Sequence, residues 1–249
     1  MARVLRYVVA LFALALIVQS PAVRAGEPVD LLLVLAADVS RSVDEAKFHV
    51  QREGYAAAIA HPRVLDAIAT GPHRRIAVCY VEWSGADSQK VVIDWTVIGD
   101  PAAARRFGDQ LIEIPRPFAD RRSISAAIDF AAQLFDRAPY TSNRRIIDVS
   151  GDGNNNAGRS VAEARDDAVA RGITINGLVI LTENPPLGMS EHTNPPGGLE
   201  TYYRDSVIGG PTAFVIVAEN FNAFDTAIIR KMVAEIAKLS DPQQAMRKP

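Results

Sequence analysis

The apolar run from Leu31 to Ala37 constrains the fold more than any other stretch of the sequence. It is too short to cross a membrane and too uniform for a strand with one face in water. An apolar strand of this length is typical of a parallel sheet that helices cover on both faces. The run ends at Asp38, and hydroxyl side chains follow at Ser40 and Ser42.

Strand and helix patterns alternate along the rest of the chain. The further predicted strands are 75–83, 89–97, 145–149, 173–181 and 213–218. The predicted helices are 43–61, 62–69, 100–112, 123–135, 161–171, 199–207 and 221–239, and 184–198 is a loop rich in proline and glycine. We expect the second and third strands to form a hairpin. The pattern predicts an α/β fold with a six-stranded, mostly parallel, doubly wound sheet and helices on both faces.

The two ends of the chain differ in composition from its middle. Residues 1–25 combine arginines, an apolar run and small residues before Gly26, which indicates a signal peptide rather than an uncleaved anchor. We expect one domain over 26–241 and a tail at 242–249. Without residues 1–25 the chain has 24 basic and 29 acidic side chains, which favours neither nucleic acid nor an anionic membrane as partner.

Two acidic turns follow strands that should end at the same edge of the sheet. Asp38, Ser40 and Ser42 leave the first strand, and Asp152 leaves the strand at 145–149 between Gly151 and Gly153. In open α/β sheets, ligands bind outside the carboxyl ends of the strands. Carboxylates and hydroxyls gathered there suit Mg²⁺ or Mn²⁺. The alternative is that Asp38 and Ser40 cap the next helix and that Asp152 is a turn residue.

The segment DVSRS at 38–42 resembles the Asp-x-Ser-x-Ser signature of von Willebrand factor A domains. The segment SGDG at 150–153 resembles the loop with the second aspartate of that family's metal-ion-dependent adhesion site. Longer blocks, among them QREGYAAAI and RRIIDVSGDGNNNAG, resemble one bacterial family of exported A-domain proteins of unknown function. The resemblance implies a Rossmann-like sheet with one antiparallel edge strand, a bound Mg²⁺ or Mn²⁺, and protein binding rather than catalysis.

The family's middle metal ligand has no clear counterpart in this chain. The resemblance places a threonine six residues before an aliphatic residue of the following helix, and counting back from Ile128 reaches Arg122. Ser123 would supply the hydroxyl if the loop shifted by one residue. Alternatively, Arg122 itself would neutralise Asp38 and Asp152, and no metal would be needed. An arginine has no lone pair to offer a cation.

Three functions are compatible with these motifs. The leading prediction is an exported A-domain that binds a protein through the metal, with an Asp or Glu of the partner completing the coordination sphere. The second is a Mg²⁺-dependent hydrolase with Asp38 as nucleophile, although the sequence offers no second Asp two residues later and no glycine-rich phosphate loop. The third is a scaffold in which the metal site is degenerate.

Overall fold

The computed structural model describes residues 26–182, 193 and 195–237. The strands within these residues are β1 (Glu27–Pro28), β2 (Leu32–Asp38), β3 (Ile76–Trp83), β4 (Gln89–Ile98), β5 (Tyr140–Thr141), β6 (Arg145–Gly151), β7 (Thr174–Ile180) and β8 (Val215–Ala218). The α-helices there are α1 (Glu45–Ile59), α2 (Pro62–Ala69), α3 (Pro101–Glu113), α4 (Ile124–Leu134), α5 (Val161–Ala170), α6 (Leu199–Tyr202) and α7 (Phe224–Ile236).

Six of the strands form one sheet in the order β4-β3-β2-β6-β7-β8. All neighbours in it are parallel except β3 and β4, which form the predicted antiparallel hairpin and put β4 at one edge. The predicted fold class is therefore confirmed. The chain moves from β2 outward to β3 and β4, and then returns to the other side of β2 with β6. The strand order thus reverses at β2, which is where such sheets bind ligands.

The central strand β2 is buried on both faces, as its uniform apolar sequence requires. Leu33 and Leu35 point to a core formed with α1, α2, α3 and α7. Val34 and Ala36 point to a second core, formed with α4 and α5. This double burial fixes the carboxyl end of β2 between two helical layers, and so fixes the starting point of the Asp38 turn.

Some features differ from the predictions or lie outside the described residues. The small parallel pair of β1 and β5 was not predicted, because two-residue strands carry no periodic signal. The predicted signal peptide, the tail and most of the 184–198 loop lie outside the described residues. Within the described segments 26–182 and 195–237, no helix is both long and apolar enough to span a bilayer.

A buried charged cluster joins α7 to the middle of the sheet. The Lys231 ammonium lies 2.7 Å from the Asp148 carboxylate of β6 and 2.5 Å from that of Glu235. The Asn176 amide donates a hydrogen bond of 2.9 Å to Glu235. Burial raises the pKa of Asp148 to about 7; Lys231 opposes this shift, and the Glu235 carboxylate adds to it.

We predict that Asp148 makes the stability of the fold depend on pH. Its pKa in the folded state lies above the ordinary value of 3.8, so its contribution is complete below that value and is lost as the pH rises toward about 7. Since one pKa unit corresponds to about 1.4 kcal/mol, the loss reaches a few kcal/mol. Urea denaturation of Asp148→Asn across this range should show a flatter profile of unfolding free energy than the wild type.

The control for this prediction is Asp136→Asn. Asp136 pairs with Arg171 at the surface, and 63% of its side chain is exposed. Its substitution should leave the slope of the wild-type profile unchanged. Parallel profiles for the wild type and Asp148→Asn would contradict the assignment.

Candidate functional site

The structure brings together four of the predicted site residues at the carboxyl edge, which we define as the edge where β2 and β6 end. Asp38 is the last residue of β2, and Asp152 directly follows β6. The Ser42 hydroxyl donates a hydrogen bond of 2.6 Å to Asp152 and lies 3.2 Å from the Ser40 hydroxyl. All four side chains are buried. The prediction that the two acidic turns meet agrees with this geometry.

The local backbone explains why the two turns can approach each other. The backbone amide of Ser40 donates a hydrogen bond of 2.7 Å to Asp38 Oδ1, which fixes the carboxylate over its own turn. On the neighbouring strand, a Cβ at Gly151 would lie 2.6 Å from the Tyr203 hydroxyl and 3.2 Å from Asp38 Oδ2. Only a glycine at this position leaves room for both groups.

The Arg122 guanidinium lies between the two aspartates. Its Nε is 3.3 Å from Asp38 Oδ2, and its Nη2 is 3.3 Å from Asp152 Oδ1. The same two nitrogens donate hydrogen bonds of 3.2 Å to Ser40 Oγ and 2.8 Å to Ser42 Oγ. The guanidinium therefore contacts oxygens from four of the five predicted ligands.

The segment that carries Arg122 is fastened on both sides. The Arg122 amide donates to the side-chain oxygen of Asn156 at 2.9 Å, and the Asn156 amide donates back to the Arg122 carbonyl at 3.0 Å. The next amide, that of Ser123, donates to the Ser84 carbonyl at 2.7 Å. These bonds fix the backbone from which the arginine side chain enters the site.

The fifth predicted residue, Ser123, is the N-cap of α4. Its hydroxyl accepts a hydrogen bond of 3.3 Å from the Ala126 amide as the helix cap and lies 3.3 Å from the Ser125 hydroxyl. A Cβ at Gly158 would lie 2.5 Å from the same hydroxyl. These contacts direct the hydroxyl to the start of the helix. Ligation of a metal by Ser123 stays a prediction.

Burial shapes the electrostatics of the acid pair. It raises the pKa of Asp38 to about 6; the Arg122 cation opposes the shift, and the Asp152 carboxylate adds to it. Burial also raises the pKa of the Tyr203 phenol well above its ordinary value, and the charge of Asp38 contributes to that shift. Tyr203 therefore stays neutral near the acids. Sequence reasoning missed Tyr203, because nothing in its segment marks it as more than a helical apolar residue.

Two further side chains that the sequence did not single out hold the 38–43 turn. Arg116 Nη2 donates hydrogen bonds to the carbonyls of Val39 at 2.6 Å, Ser40 at 3.2 Å and Val43 at 2.8 Å. Gln51, on α1, donates to the Asp38 carbonyl at 3.1 Å. The only signal for Arg116 was its place in a loop rich in proline and arginine.

The arrangement does not fit a bound Mg²⁺ or Mn²⁺ while Arg122 points inward. The oxygen set itself suits such an ion in its chemistry. However, guanidinium nitrogens lie within 3.3 Å of four of these oxygens and fill the space on which they converge. In the described part of the chain, no group of three or more His, Cys, Asp or Glu side chains is placed to hold a metal. Binding of either ion stays a prediction.

Comparisons with known proteins agree with the fold. The profile of a family described as "Protein of unknown function (DUF1194)" matches residues 28–240. No protein with a curated description matches the sequence. Several solved structures share the fold at low sequence identity.

Proximal thread matrix protein 1 from the mussel byssus has a TM-score of 0.60 and 13% identity over 86% of this chain and 49% of its own. Another structure of it is described as having a "zinc occupied MIDAS motif". The pilus adhesin SpaC from Lactobacillus rhamnosus GG has a TM-score of 0.58 and 12% identity, over 85% and 31% of the two chains.

A structure described as "von Willebrand factor type A" from Catenulispora acidiphila has a TM-score of 0.53 and 12% identity, over 84% of this chain and 43% of its own. This chain thus spans about half of the length of the mussel protein and less than half of the other two neighbours. The predicted resemblance to A-domains is confirmed at the level of the fold.

We predict that the hydrogen bonds from Arg116 contribute more than any other contact to the stability of the 38–43 turn. Arg116→Ala should lower the unfolding free energy by about 2–3 kcal/mol, since hydrogen bonds from a charged donor contribute about 1.5–3 kcal/mol. It should also accelerate amide hydrogen exchange in the turn. Arg41→Ala is the control, because Arg41 is 66% exposed and meets Asp120 only at 3.8 Å. An equal effect of both substitutions would contradict the prediction.

Proposed function

Since this chain belongs to the family described as protein of unknown function DUF1194 and has the von Willebrand factor A fold, we propose that it is a protein-binding domain. The proposed binding surface, which we call the rim, lies around the carboxyl edge and includes Arg41 of the 38–43 turn and Asp120 and Arg121 of the loop before α4. We further propose that the protein is exported, to the periplasm or beyond, by the predicted signal peptide.

The observation that carries this proposal is the complete burial of the two acids, Asp38 and Asp152. Asp38 and Asp152 are completely buried, and Arg122 lies between them. A nucleophilic carboxylate has to reach its substrate. The buried cluster therefore favours a structural support for the loops above it over the hydrolase alternative.

Two exposed arginines of the rim offer a pairing site for an acidic partner segment. The guanidinium of Arg41 is two-thirds exposed and only loosely paired with Asp120 at 3.8 Å. Arg121, next to the buried Arg122, is also exposed. A backbone hydrogen bond of 3.0 Å from Arg41 to Asp120 fixes the two loops together. An Asp or Glu of the partner would pair with these arginines at low cost in desolvation.

The neighbours in structure are compatible with this role. One is named as a matrix protein of a byssus thread, and another as a pilus adhesin. Their identity to this chain is 13% and 12%, so they support the fold and leave the partner to experiment.

A second candidate is the metal-bridged form of the same function. It is favoured by the meeting of Asp38, Ser40, Ser42 and Asp152 at one point, and by the zinc-occupied motif named for the mussel protein. In this chain a metal would require Arg122 to leave its position between the acids.

The test of the proposed surface is site-specific photocrosslinking in cells that express the full chain. A photoreactive residue at position 41 or 121 should capture a defined partner protein, while one at Arg106 on the exposed face of α3 should not. Binding should then be measured with that partner purified. Arg41→Glu should weaken it by about tenfold or more, corresponding to at least about 1.4 kcal/mol.

Arg106→Glu makes the same change of charge outside the rim and should leave affinity unchanged. Equal crosslinking from position 106, or equal affinity for the Arg41→Glu variant, would place the binding surface elsewhere.

A further inference from the structure

We infer that the guanidinium of Arg122 is the resident cation of the carboxyl edge, taking the place of a metal ion between Asp38 and Asp152. The site would then be complete without a divalent cation. This inference goes beyond the proposed protein binding and does not depend on a partner.

The first support is that the guanidinium and an ion compete for the same oxygens. Arg122 Nε approaches Asp38 Oδ2 and Ser40 Oγ at 3.3 and 3.2 Å. Mg²⁺ would need such oxygens at about 2.1 Å in an octahedral arrangement. An ion at that distance from the same oxygens would overlap the nitrogens, so only one of the two cations can be present.

The second support is the direction of the hydrogen bonds at Ser42. Its hydroxyl accepts a bond of 2.8 Å from Arg122 Nη2 and donates its own proton to Asp152 at 2.6 Å. Ser42 thus connects the guanidinium to the Asp152 carboxylate through two consecutive hydrogen bonds. The planar fork of arginine supplies donors in two directions, which matches oxygens from two separate turns.

The third support is the position of Arg122 in its loop. The backbone is fastened to Asn156 and, through the following amide, to Ser84. Only 4% of the side chain is exposed. If the Arg122 side chain swung outward, two buried carboxylates would lose this cation. Buried charges without a counterion are strongly unfavourable.

The adjacent arginine offers a matched comparison. Arg121 is exposed and Arg122 is buried, although the two are neighbours in sequence. A change from arginine to threonine at either position alters the charge and size of the side chain by the same amount. Only the change at 122 opens the space between the acids.

The test is Mn²⁺ binding to the purified full chain. Binding is measured by electron paramagnetic resonance of the free ion and by calorimetry. The wild type should leave millimolar Mn²⁺ free. Arg122→Thr should bind one Mn²⁺ at least about tenfold more tightly than the wild type and gain thermal stability on its addition. Arg121→Thr should behave as the wild type.

Two further variants keep the test decisive. Arg122→Lys retains a cation at the site and should bind no Mn²⁺. The double variant Arg122→Thr/Asp38→Asn should lose the binding gained by Arg122→Thr. If Arg122→Thr fails to fold without metal, its recovery on refolding with Mn²⁺ supports the inference, and failure with and without the ion contradicts it.

Two results would overturn the inference. The first is Mn²⁺ binding by the wild type that Asp38→Asn abolishes, because the arginine would then yield its place to the ion. The second is a folded Arg122→Thr variant that binds no Mn²⁺, because the four oxygens would then not form a cation site at all. The first result would favour the metal-bridged form of protein binding, while neither result by itself excludes a partner at the rim.

Discussion

The pairing of one guanidinium with two buried carboxylates is the interaction on which the carboxyl edge depends. Asp38 ends β2 and Asp152 directly follows β6, at the point where the strand order reverses. Two buried carboxylates that lie close together repel strongly unless a cation lies between them. Arg122 supplies that cation from a third segment. The edge is therefore one connected unit of three loops rather than three separate turns.

Two further arginines, Arg116 and Arg52, hold the segments around this unit through hydrogen bonds. Arg116 donates to three carbonyls of the 38–43 turn. Arg52 forms a buried pair with Glu82 through both of its carboxylate oxygens, at 2.8 and 3.0 Å. Each guanidinium satisfies acceptors that would otherwise be buried without donors, which is costly. The loops are consequently held by fixed donors that belong to the chain itself.

Much of this arrangement could be predicted from the sequence, and the reason lies in chain geometry. The uniform apolar run before Asp38 identifies a central strand, and the carboxyl ends of parallel strands share one edge. The meeting of Asp38 and Asp152 follows from those two facts. Counting back from Ile128 to Arg122 also left open the alternative in which Arg122 neutralises both acids.

The direction of the Arg122 side chain could not be predicted in this way. The backbone at Arg122 is held by hydrogen bonds to Asn156 and, through the amide of Ser123, to Ser84. Only the folded chain brings these partners near. The same holds for Tyr203 near Asp38, and for the ammonium of Lys231 beside Asp148. Periodicity shows which residues are buried, while the partner of a buried polar group is decided by tertiary contacts.

The cluster on α7 has a consequence for how that helix can move. Lys231 and Glu235 lie one turn apart and both face the sheet, where Asp148 and Asn176 receive them. A shift of the helix by one turn, about 5 Å, would place Ala227 or Ile228 opposite the Asp148 carboxylate in one direction, or the Glu235 carboxylate in the other, and leave the ammonium without its partner. The charged pair thus selects a single register of the last helix along the sheet. Sliding of α7 would be an all-or-none event and not a gradual one.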